Sequence, residues 1–352
     1  MTVPAAGDTR VRLLQPADSR LVAAWDEFVL GHPEATFFHR AGWQPILRQI
    51  YGHDTYYLIA ECNGQVVGVL PLGHVKSLLF GNTLSSLPFG VYGGVLSTTP
   101  EAAALLEQEA EHIATRLKVS HLEYRNVNQR HGDWPTQDLY VTFRKEIFPD
   151  DEANMLSIPR KQRAMVRKGI KNELRGELDE NADRFFALFA DNVHRHGTPA
   201  MPKRYFNALK HEFGRDCEIL TIVAPDGEPV SSVLSFYFRD EVLPYYAGDA
   251  ERARDLAAND FKYWELMRRA SARGIRVFDY GRSKVGTGTY AFKKNWGFEA
   301  TPLHYEYRLF GRESVPQNNP NNPKYRFLIQ TWKRMPLWLA NFIGPFIVRT
   351  LG

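Results

Sequence analysis

Cysteine is nearly absent from this sequence, which has two cysteines in 352 residues. Cys62 and Cys217 lie far apart, each in or beside a run of strand-forming residues. Two isolated cysteines make neither the closely spaced pairs of a zinc site nor the framework of a disulfide-rich secreted domain. We therefore expect free thiols in a reducing cytoplasm, and no metal.

The sequence also lacks a long hydrophobic run. It has no stretch of about 18 apolar residues, the length that a membrane-spanning helix needs. The nearest approach, 335–351, is interrupted by Pro336, Gly344 and Pro345. The first residues, Met-Thr-Val-Pro-Ala-Ala-Gly-Asp, contain neither the basic nor the apolar segment of a secretory signal. These absences favour a cytoplasmic protein.

A strong excess of one charge is missing as well, because the formal net charge is only +4. Any binding of anions must therefore come from local clusters of basic residues. The sequence shows no P-loop, no Rossmann fingerprint, no zinc-ligand spacing and no recognisable Ser-His-Asp order. Kinase, dehydrogenase and hydrolase functions thus have no support, and we expect no bound cofactor.

What the sequence does contain is an α/β pattern that occurs twice. Each half has helices, a hairpin, a strand, a helix and a further strand, and the hairpins have strong turn signals at 63–64 and 225–227. Hairpin strands pair antiparallel, whereas a strand-helix-strand step gives parallel neighbours, so each sheet is predicted to be mixed and flanked by helices. We predict two tandem α/β units, 1–150 and 151–310, followed by a linker and an apolar helical tail, 311–352.

The most distinctive stretch is the glycine-rich segment 274–298. A strand is predicted at 275–280, and Gly281, Gly286 and Gly288 allow the backbone to turn sharply into a new helix. The free N–H groups at a helix N-terminus carry the positive end of its dipole, so such a turn can bind an anion. An ordinary strand-to-helix connection with solvated cations is the alternative, and spacing alone does not separate the two.

Three pieces of this segment resemble the closing motif of the FemAB-like transferases of the GNAT superfamily. They read Phe-Asp-Tyr-Gly-Arg-Ser-Lys, Gly-Thr-Gly and Phe-Lys-Lys-Asn-Trp-Gly-Phe. The resemblance is greatest to the branch associated with exosortase (PEP-CTERM) exopolysaccharide systems, and it extends weakly over residues 10–350. It implies two GNAT-like units, the first on the acceptor side and the second on the acyl-transfer side.

The resemblance also implies an enzyme that transfers an acyl or aminoacyl group. The donor would be an anionic activated acyl compound, aminoacyl-tRNA or acyl-CoA, bound as a substrate. The acceptor would be an amine or hydroxyl of a cell-envelope or exopolysaccharide precursor.

Three residues are candidates for catalysis. The resemblance implies that Lys293 stabilises the negative charge that develops during acyl transfer, although a lysine at this spacing is more often on the surface. Tyr246 and Asp249 end a predicted strand at the place where GNAT-type sheets splay and admit the acyl donor. Asp249 could orient an attacking amine, but one carboxylate in a loop is weak evidence for a base.

Four further residues are candidates for substrate binding. Tyr245 lies at the same predicted strand end as Tyr246. The other interpretation is that the two tyrosines simply alternate between core and surface, as side chains do on any strand. Arg282 and Ser283 belong to the closing motif. Tyr92 lies in the glycine-rich segment 87–94, which resembles an acceptor-binding Tyr-Gly-Gly stretch and which could equally be a connecting loop.

A basic cluster follows the first unit. A helix is predicted over 155–174, and Arg160, Arg163 and Arg167 fall on it at helical spacings. A charge run of this kind is most often a solvated face. It could instead bind the phosphates of a donor, and FemAB-like enzymes have a similarly placed basic helix.

One departure from the acetyl-CoA-dependent GNAT pattern bears on the donor. Those enzymes have an Arg/Gln-x-x-Gly-x-Gly/Ala loop, whereas this chain reads Ala-Gly-Asp-Ala-Glu-Arg-Ala-Arg-Asp-Leu at 247–256. The departure disfavours a CoA-dependent N-acyltransferase without excluding it. A non-catalytic glycan- or RNA-binding protein on the same scaffold remains a further alternative.

The C-terminal tail is strongly apolar. Its large side chains could pack back onto the first unit, or they could lie in a membrane interface with the basic residues of the tail toward anionic headgroups. We expect a mixed outcome, in which one face docks on the protein and the other rests on the inner leaflet.

Overall fold

The computed structural model describes residues 8–77, 81–311, 314–315 and 323–350, with side chains of the last segment described from residue 329. Most of the predicted linker and the N-terminal residues 1–7 lie outside the described residues. The chain divides into two compact units. The first comprises Met1–Asp138, Pro302–Gln317 and Arg349–Gly352, and the second comprises Leu139–Thr301 and Asn318–Val348. Each unit contains an eight-stranded mixed sheet flanked by helices, as the sequence predicted.

The strands are numbered in chain order. They are β1 (Thr9–Leu13), β2 (Asp54–Cys62), β3 (Gln65–Ser77), β4 (Gly81–Ser85), β5 (Leu96–Ser97), β6 (His121–Asn126), β7 (Thr136–Gln137), β8 (Tyr140–Glu146), β9 (Arg175–Asp179), β10 (Cys217–Val223), β11 (Pro229–Phe238), β12 (Glu241–Asp249), β13 (Val277–Asp279), β14 (Ser283–Lys284), β15 (Ala300–Pro302) and β16 (His304–Leu309).

The α-helices are numbered in the same way. They are α1 (Ser19–Gly31), α2 (Trp43–Ile46), α3 (Pro100–Arg116), α4 (Asp151–Ser157), α5 (Arg160–Lys171), α6 (Asp183–His196), α7 (Lys203–Phe213), α8 (Ala253–Leu256), α9 (Ala258–Ala272), α10 (Gly288–Asn295), α11 (Pro323–Arg334) and α12 (Leu337–Val348). Short 3₁₀ turns occur at Phe37–His39 and Gly214–Asp216, and α2 continues into a π-helical turn, Leu47–Tyr51.

The two sheets have the same strand plan. The first runs β1-β2-β3-β4-β6-β16-β7, with β5 beside β3, and the second runs β9-β10-β11-β12-β13-β8-β14, with β15 beside β8. The β2–β3 hairpin turns at Asn63 and Gly64, both at positive φ, and the β10–β11 hairpin turns at Gly227. β4 pairs with β6 and β12 with β13 in parallel, so the predicted repeat and its mixed sheets are confirmed.

Helices cover both faces of the second sheet. Side chains of β10 and β11 that point to one face, such as Leu220 and Val233, share a core with Phe261 and Trp264 of α9. On the other face α6 lies so close to β12 that a Cβ atom on Gly248 would be 2.4 Å from the Cα of Phe189. The short α6–β12 distance therefore depends on glycine.

The unit boundaries differ from the predicted ones because two strands are exchanged along the chain. β8, which precedes residue 150, pairs with β13 in the second sheet. β16, from the end of the predicted second unit, pairs with β6 in the first sheet. A division into consecutive segments cannot represent this exchange.

The tail helices α11 and α12 pack on the second unit, and Arg349, which follows them, lies against Gly52 of the first unit. Both α11 and α12 contact α6. Trp332 of α11 is buried, and its carbonyl oxygen lies 3.0 Å from Nε2 of His194. None of the described helices combines the length and the apolar character needed to cross a bilayer.

Candidate functional site

The second sheet opens between two neighbouring strands. Among the described residues, β12 and β13 pair at two positions, both at the start of β12. β12 then continues to Asp249, whereas the chain after β13 follows β8, because the backbone N–H of Tyr280 donates to the carbonyl oxygen of Phe143 at 2.8 Å. The two strands therefore diverge at the place where the resemblance to GNAT-type sheets implied a splayed sheet.

A β-bulge lies on the β12 side of this opening. The register pairs Leu234 with Tyr246 and Ser235 with Pro244, which makes Tyr245 the extra residue. The bulge breaks the alternation of side chains along the strand, so the rings of Tyr245 and Tyr246 lie 4.6 Å apart in an edge-to-face contact. Simple alternation, the other interpretation of these tyrosines, is therefore wrong.

Tyr246 belongs to an aromatic cluster. Its hydroxyl lies 3.0 Å from that of Tyr205 on α7, and its ring contacts Phe189 and Phe206 at 6.0 and 5.4 Å. These contacts fix the orientation of the ring on the α6–α7 face of the sheet.

Lys293 is buried in the last turn of α10, so it is not the surface lysine that its spacing alone would suggest. Its Nζ donates to the carbonyl oxygens of Tyr280, Gly281 and Arg282 at 2.7, 3.0 and 3.1 Å. Burial lowers the pKa of Lys293 to about 7, and the nearby carboxylate of Asp279 opposes this shift. Lys293 lies in the last turn of α10, at the opposite end of the helix from its N-terminus.

The turn that Lys293 contacts is held by hydrogen bonds to Asp279. The Asp279 carboxylate accepts hydrogen bonds from the backbone N–H of Gly281 at 2.7 Å and from the hydroxyl of Thr142 at 3.2 Å. Two buried hydroxyls of the same turn, those of Tyr280 and Ser283, have no hydrogen-bond partner among the described residues. Burial raises the pKa of Tyr280 well above its usual value, so its hydroxyl is a neutral donor.

Asp249 is part of an ion pair. Its carboxylate lies 2.8 Å from Nζ of Lys262 and accepts a hydrogen bond from the hydroxyl of Ser231. The Lys262 side chain has no exposed surface. Sequence reasoning missed Lys262, although a lysine between Phe261 and Tyr263 on an apolar helix was a usable signal.

α9 connects the two sides of the opening. Lys262 contacts Asp249 at the end of β12, and the ring of the adjacent Tyr263 lies 4.9 Å from the ring of Tyr280. Tyr280 in turn accepts a hydrogen bond from Lys293. A continuous set of contacts thus joins Asp249 to Lys293, whereas Tyr246 lies in its own aromatic cluster.

The other motif residues lie close to Lys293. The guanidinium of Arg282 stacks over the ring of Tyr140 at 4.5 Å, and its backbone carbonyl contacts Lys293. Ser283 is buried in β14 and pairs with Val141 of β8. The α10 N-terminus is capped by Thr287, whose hydroxyl accepts from the backbone N–H of residue 290 at 3.4 Å.

The basic cluster lies on an exposed helix face. Arg160 and Arg167 of α5 are exposed, and Arg163 donates to the carbonyl oxygen of Ile158 at 3.1 and 3.2 Å. The opposite face of α5, which includes Gly169, packs against α9. The structure thus gives α5 one packed and one cationic face, and whether that face binds an anion stays a prediction.

Tyr92 is buried in the first unit. It is 4% exposed, and its ring lies 5.8 Å from that of Phe38. Arg125 holds the segment around it by donating to the carbonyl oxygens of Leu87 and Gly90 at 3.1 and 2.6 Å. Tyr92 therefore supports the glycine-rich loop from the core, and it does not present the exposed ring that an acceptor-binding role would use.

No metal centre is evident. In the part of the chain that the structure describes, no group of three or more His, Cys, Asp or Glu residues is arranged to hold a metal ion. Cys62 and Cys217 are buried free thiols, and burial raises the pKa of Cys217.

Comparison with known proteins identifies the fold. Residues 158–294 match the profile of a family described as "Acetyltransferase (GNAT) domain". Among solved structures, the chain is similar to FemX, at 15% identity with a TM-score of 0.65, covering 91% of this chain and 100% of that one. It is also similar to L-PGS from Bacillus licheniformis, at 12% identity with a TM-score of 0.57, covering 91% and 98% of the two chains.

A third similar structure is a tandem GNAT protein from the clavulanic acid biosynthesis pathway. The identity is 12%, the TM-score is 0.55, and the similarity covers 87% of this chain and 100% of that one. No curated protein sequence matches the chain significantly. The chain thus has the tandem GNAT fold, and its acetyltransferase-like segment runs from the start of α5 into α10.

Proposed function

We propose that this protein is a FemAB-like acyl- or aminoacyltransferase that acts on an amine or hydroxyl of a cell-envelope or exopolysaccharide precursor. The observation that carries the proposal is the match of residues 158–294 to a GNAT acetyltransferase domain, because this segment contains the opening between β12 and β13 and the buried Lys293. The fold alone does not define the chemistry, so the proposal depends on this site.

In the proposed reaction the acyl carbonyl of the donor lies in the opening. The acceptor nitrogen or oxygen attacks the carbonyl carbon, the new C–N or C–O bond forms, and the bond to the donor's ester oxygen or thioester sulfur breaks. The nucleophile's proton leaves with the departing group or passes to solvent. The positive charge of Lys293 and the neutral hydroxyl of Tyr280 would favour the negative charge that develops on the carbonyl oxygen.

Asp249 would orient the attacking group rather than remove its proton. Its carboxylate is paired with Lys262 and accepts a hydrogen bond from Ser231, which makes it a fixed hydrogen-bond acceptor. Tyr246 would form a wall of the acyl site, with Tyr245, Arg282 and Ser283 as further contacts.

The donor would bind through phosphate groups. Arg160, Arg163 and Arg167 offer the guanidinium groups that phosphate contacts favour, and no acidic side chain occurs on α5. The first unit would bind the acceptor beside the 87–94 loop, with Tyr92 supporting the loop. A cell-envelope acceptor is consistent with a cytoplasmic protein that associates peripherally with the inner face of the membrane.

Two other functions remain as alternatives. A CoA-dependent N-acyltransferase is disfavoured because the loop before α9 lacks the glycine-rich pattern and the first turn of α9 has an acidic residue, Asp260. One observation favours a non-catalytic glycan- or RNA-binding protein. The three carbonyl contacts of Lys293 occupy all three N–H donors of its ammonium, so none is left to donate to a reacting carbonyl oxygen.

A donor-class experiment tests the proposal. Purified full-length protein is incubated with labelled aminoacyl-tRNA or labelled acyl-CoA, together with an extract of envelope precursors, and the label in the acceptor fraction is measured. The proposal predicts repeated turnover with one donor class. Label that never exceeds the protein-free reaction with either donor would reject the enzyme and favour the binding protein.

A further inference from the structure

The last helix that the structure describes, α12, has an exposed aromatic face. Trp338, Phe342 and Phe346 are 72%, 68% and 66% exposed. They fall at i, i+4 and i+8 on α12, which places them on one side of the helix, and the rings of Phe342 and Phe346 lie 6.2 Å apart. We call these three residues the aromatic face.

The opposite side of α12 is fixed to the protein. Ala340, Gly344 and Val348 are buried, and α12 contacts α6. A Cβ atom on Gly344 would lie 3.0 Å from the carbonyl oxygen of Ala200. The aromatic face is therefore presented outward from the second unit by close packing, and three large aromatic rings in a row are more than scattered surface residues account for.

The tail that carries the aromatic face has charge of one sign. After Glu313 the sequence has no acidic residue, whereas it has five basic ones, Lys324, Arg326, Lys333, Arg334 and Arg349. Lys333 and Arg334, at the end of α11 and just before α12, are exposed. A second copy of this chain would oppose like charges, so the occupant that complements the surface is anionic.

The length of the helix decides its orientation toward a bilayer. α12 has 12 residues and contains Pro345, and a helix of this length spans only about 18 Å, well short of a hydrocarbon core of about 30 Å. Tryptophan and phenylalanine beside basic residues are typical of helices that lie in the plane of the interface.

We infer that the aromatic face of α12 docks on an anionic lipid bilayer, with the three rings at the level of the headgroups and Lys333 and Arg334 against lipid phosphates. The inference rests on the membrane association within the proposed function and names the surface responsible. It leaves the α6 contacts of α12 unchanged, so the protein binds without refolding.

Vesicle flotation tests the inference without any transfer reaction. Full-length protein is floated with vesicles of phosphatidylcholine alone or with about 30% phosphatidylglycerol. The test variant is Trp338→Gln/Phe342→Gln/Phe346→Gln, and the matched control is Leu30→Gln/Leu178→Gln, which removes apolar groups exposed elsewhere, at 48% and 44%. All these positions are exposed, and circular dichroism verifies that each variant is folded.

We expect the unaltered protein and the control to float with anionic vesicles and the triple variant to lose about tenfold or more of its partitioning. Lys333→Gln/Arg334→Gln should weaken binding roughly fivefold per charge. Brominated lipids should quench tryptophan fluorescence in the unaltered protein and less in Trp338→Phe, which retains an aromatic ring.

Two results would overturn the inference. One is equal flotation of the triple variant and the control. The other is an unaltered protein that stays unbound and elutes as a dimer which the triple variant abolishes, because a second copy would then cover the face. Transfer to a water-soluble acceptor is measured in parallel, so that loss of membrane docking with retained transfer is distinguished from failure of the proposed activity.

Discussion

Nζ of Lys262 lies 2.8 Å from Oδ1 of Asp249, and the Lys262 side chain has no exposed surface while the Asp249 side chain is 27% exposed. Asp249 is therefore the ion-pair partner of a fully buried lysine, and its carboxylate also reaches solvent at the end of β12. Because the next residue, Tyr263, contacts Tyr280, the ion pair ties α9 to both edges of the opening. Lys262 is thus a positioning residue for the proposed site.

Loss of this buried lysine should weaken the fold. Lys262→Met removes the partner of Asp249, and we expect the free energy of unfolding to fall by about 2–4 kcal/mol, measured by urea denaturation. In Lys262→Met/Asp249→Asn the uncompensated charge is gone, so much of the loss should be recovered. Additive losses in the double variant would show that the two residues do not act as a pair.

The stability of the protein should depend on pH through Lys293. Its pKa is about 7 in the folded protein, against 10.5 for a lysine free of the fold, so between these values the unfolded chain binds a proton that the folded protein releases. Stability contributed by this group therefore rises with pH from about 7 to about 10.5.

Urea denaturation from pH 7 to 10 checks this dependence. The free energy of unfolding of the unaltered protein minus that of Lys293→Met should increase with pH. The same difference taken with Lys294→Met, at an exposed neighbour, should not change with pH. A flat difference for Lys293→Met as well would mean that the three carbonyl contacts keep the ammonium protonated throughout.

Gly248 should be intolerant of a side chain. A Cβ atom there would lie 2.4 Å from backbone atoms of Phe189, so Gly248→Ala must push α6 away from β12 and should destabilise the protein by about 1–3 kcal/mol. Gly288→Ala is the control, because among the described residues no atom outside its chain neighbours and its own helix backbone lies within 4 Å of its Cβ position. Thermal unfolding compares the two, and equal melting temperatures would contradict the close approach of α6.

The exposed face of α5 should contribute to donor binding but not to the stability of the fold. Arg160→Gln/Arg167→Gln should leave stability within about 0.5 kcal/mol, because both side chains are exposed. If the donor is a tRNA, the slope of log affinity against log salt should fall by about 1.5–2, one phosphate contact per arginine. Filter binding measures this slope, and Lys118→Gln in the first unit is the control. An unchanged slope in the arginine variant would show that the exposed face of α5 is solvated and does not bind the donor.

Local signals in the sequence predicted much of the fold. The turns at 63–64 and 227 have glycines at positive φ, and the two hairpins they define anchor the repeated sheet order. The helix predicted over 155–174 is two helices, α4 and α5, because Pro159 is extended at ψ 145 and lacks the N–H that a continuous helix would use.

The features that the sequence did not reveal are nonlocal. The exchange of β8 and β16 depends on pairing between distant strands, and no periodicity reports which sheet a strand joins. Tyr92 and Lys262 are buried in contacts with residues outside their own helix or loop, such as Phe38 and Asp249. The packing of α11 and α12 on α6 is of the same kind, and the expected division of the tail into a packed and an exposed face agrees with the burial of α12.

The initial rate of acyl transfer by Lys293→Met, compared with Lys294→Met, tests the central claim most directly. The two lysines are adjacent, but only Lys293 is buried beside the opening. If its charge stabilises the transition state, Lys293→Met should lower the rate about a hundredfold or more while Lys294→Met keeps most of it. Equal rates in folded preparations of the two variants would contradict the proposed role of Lys293 and of the opening it borders.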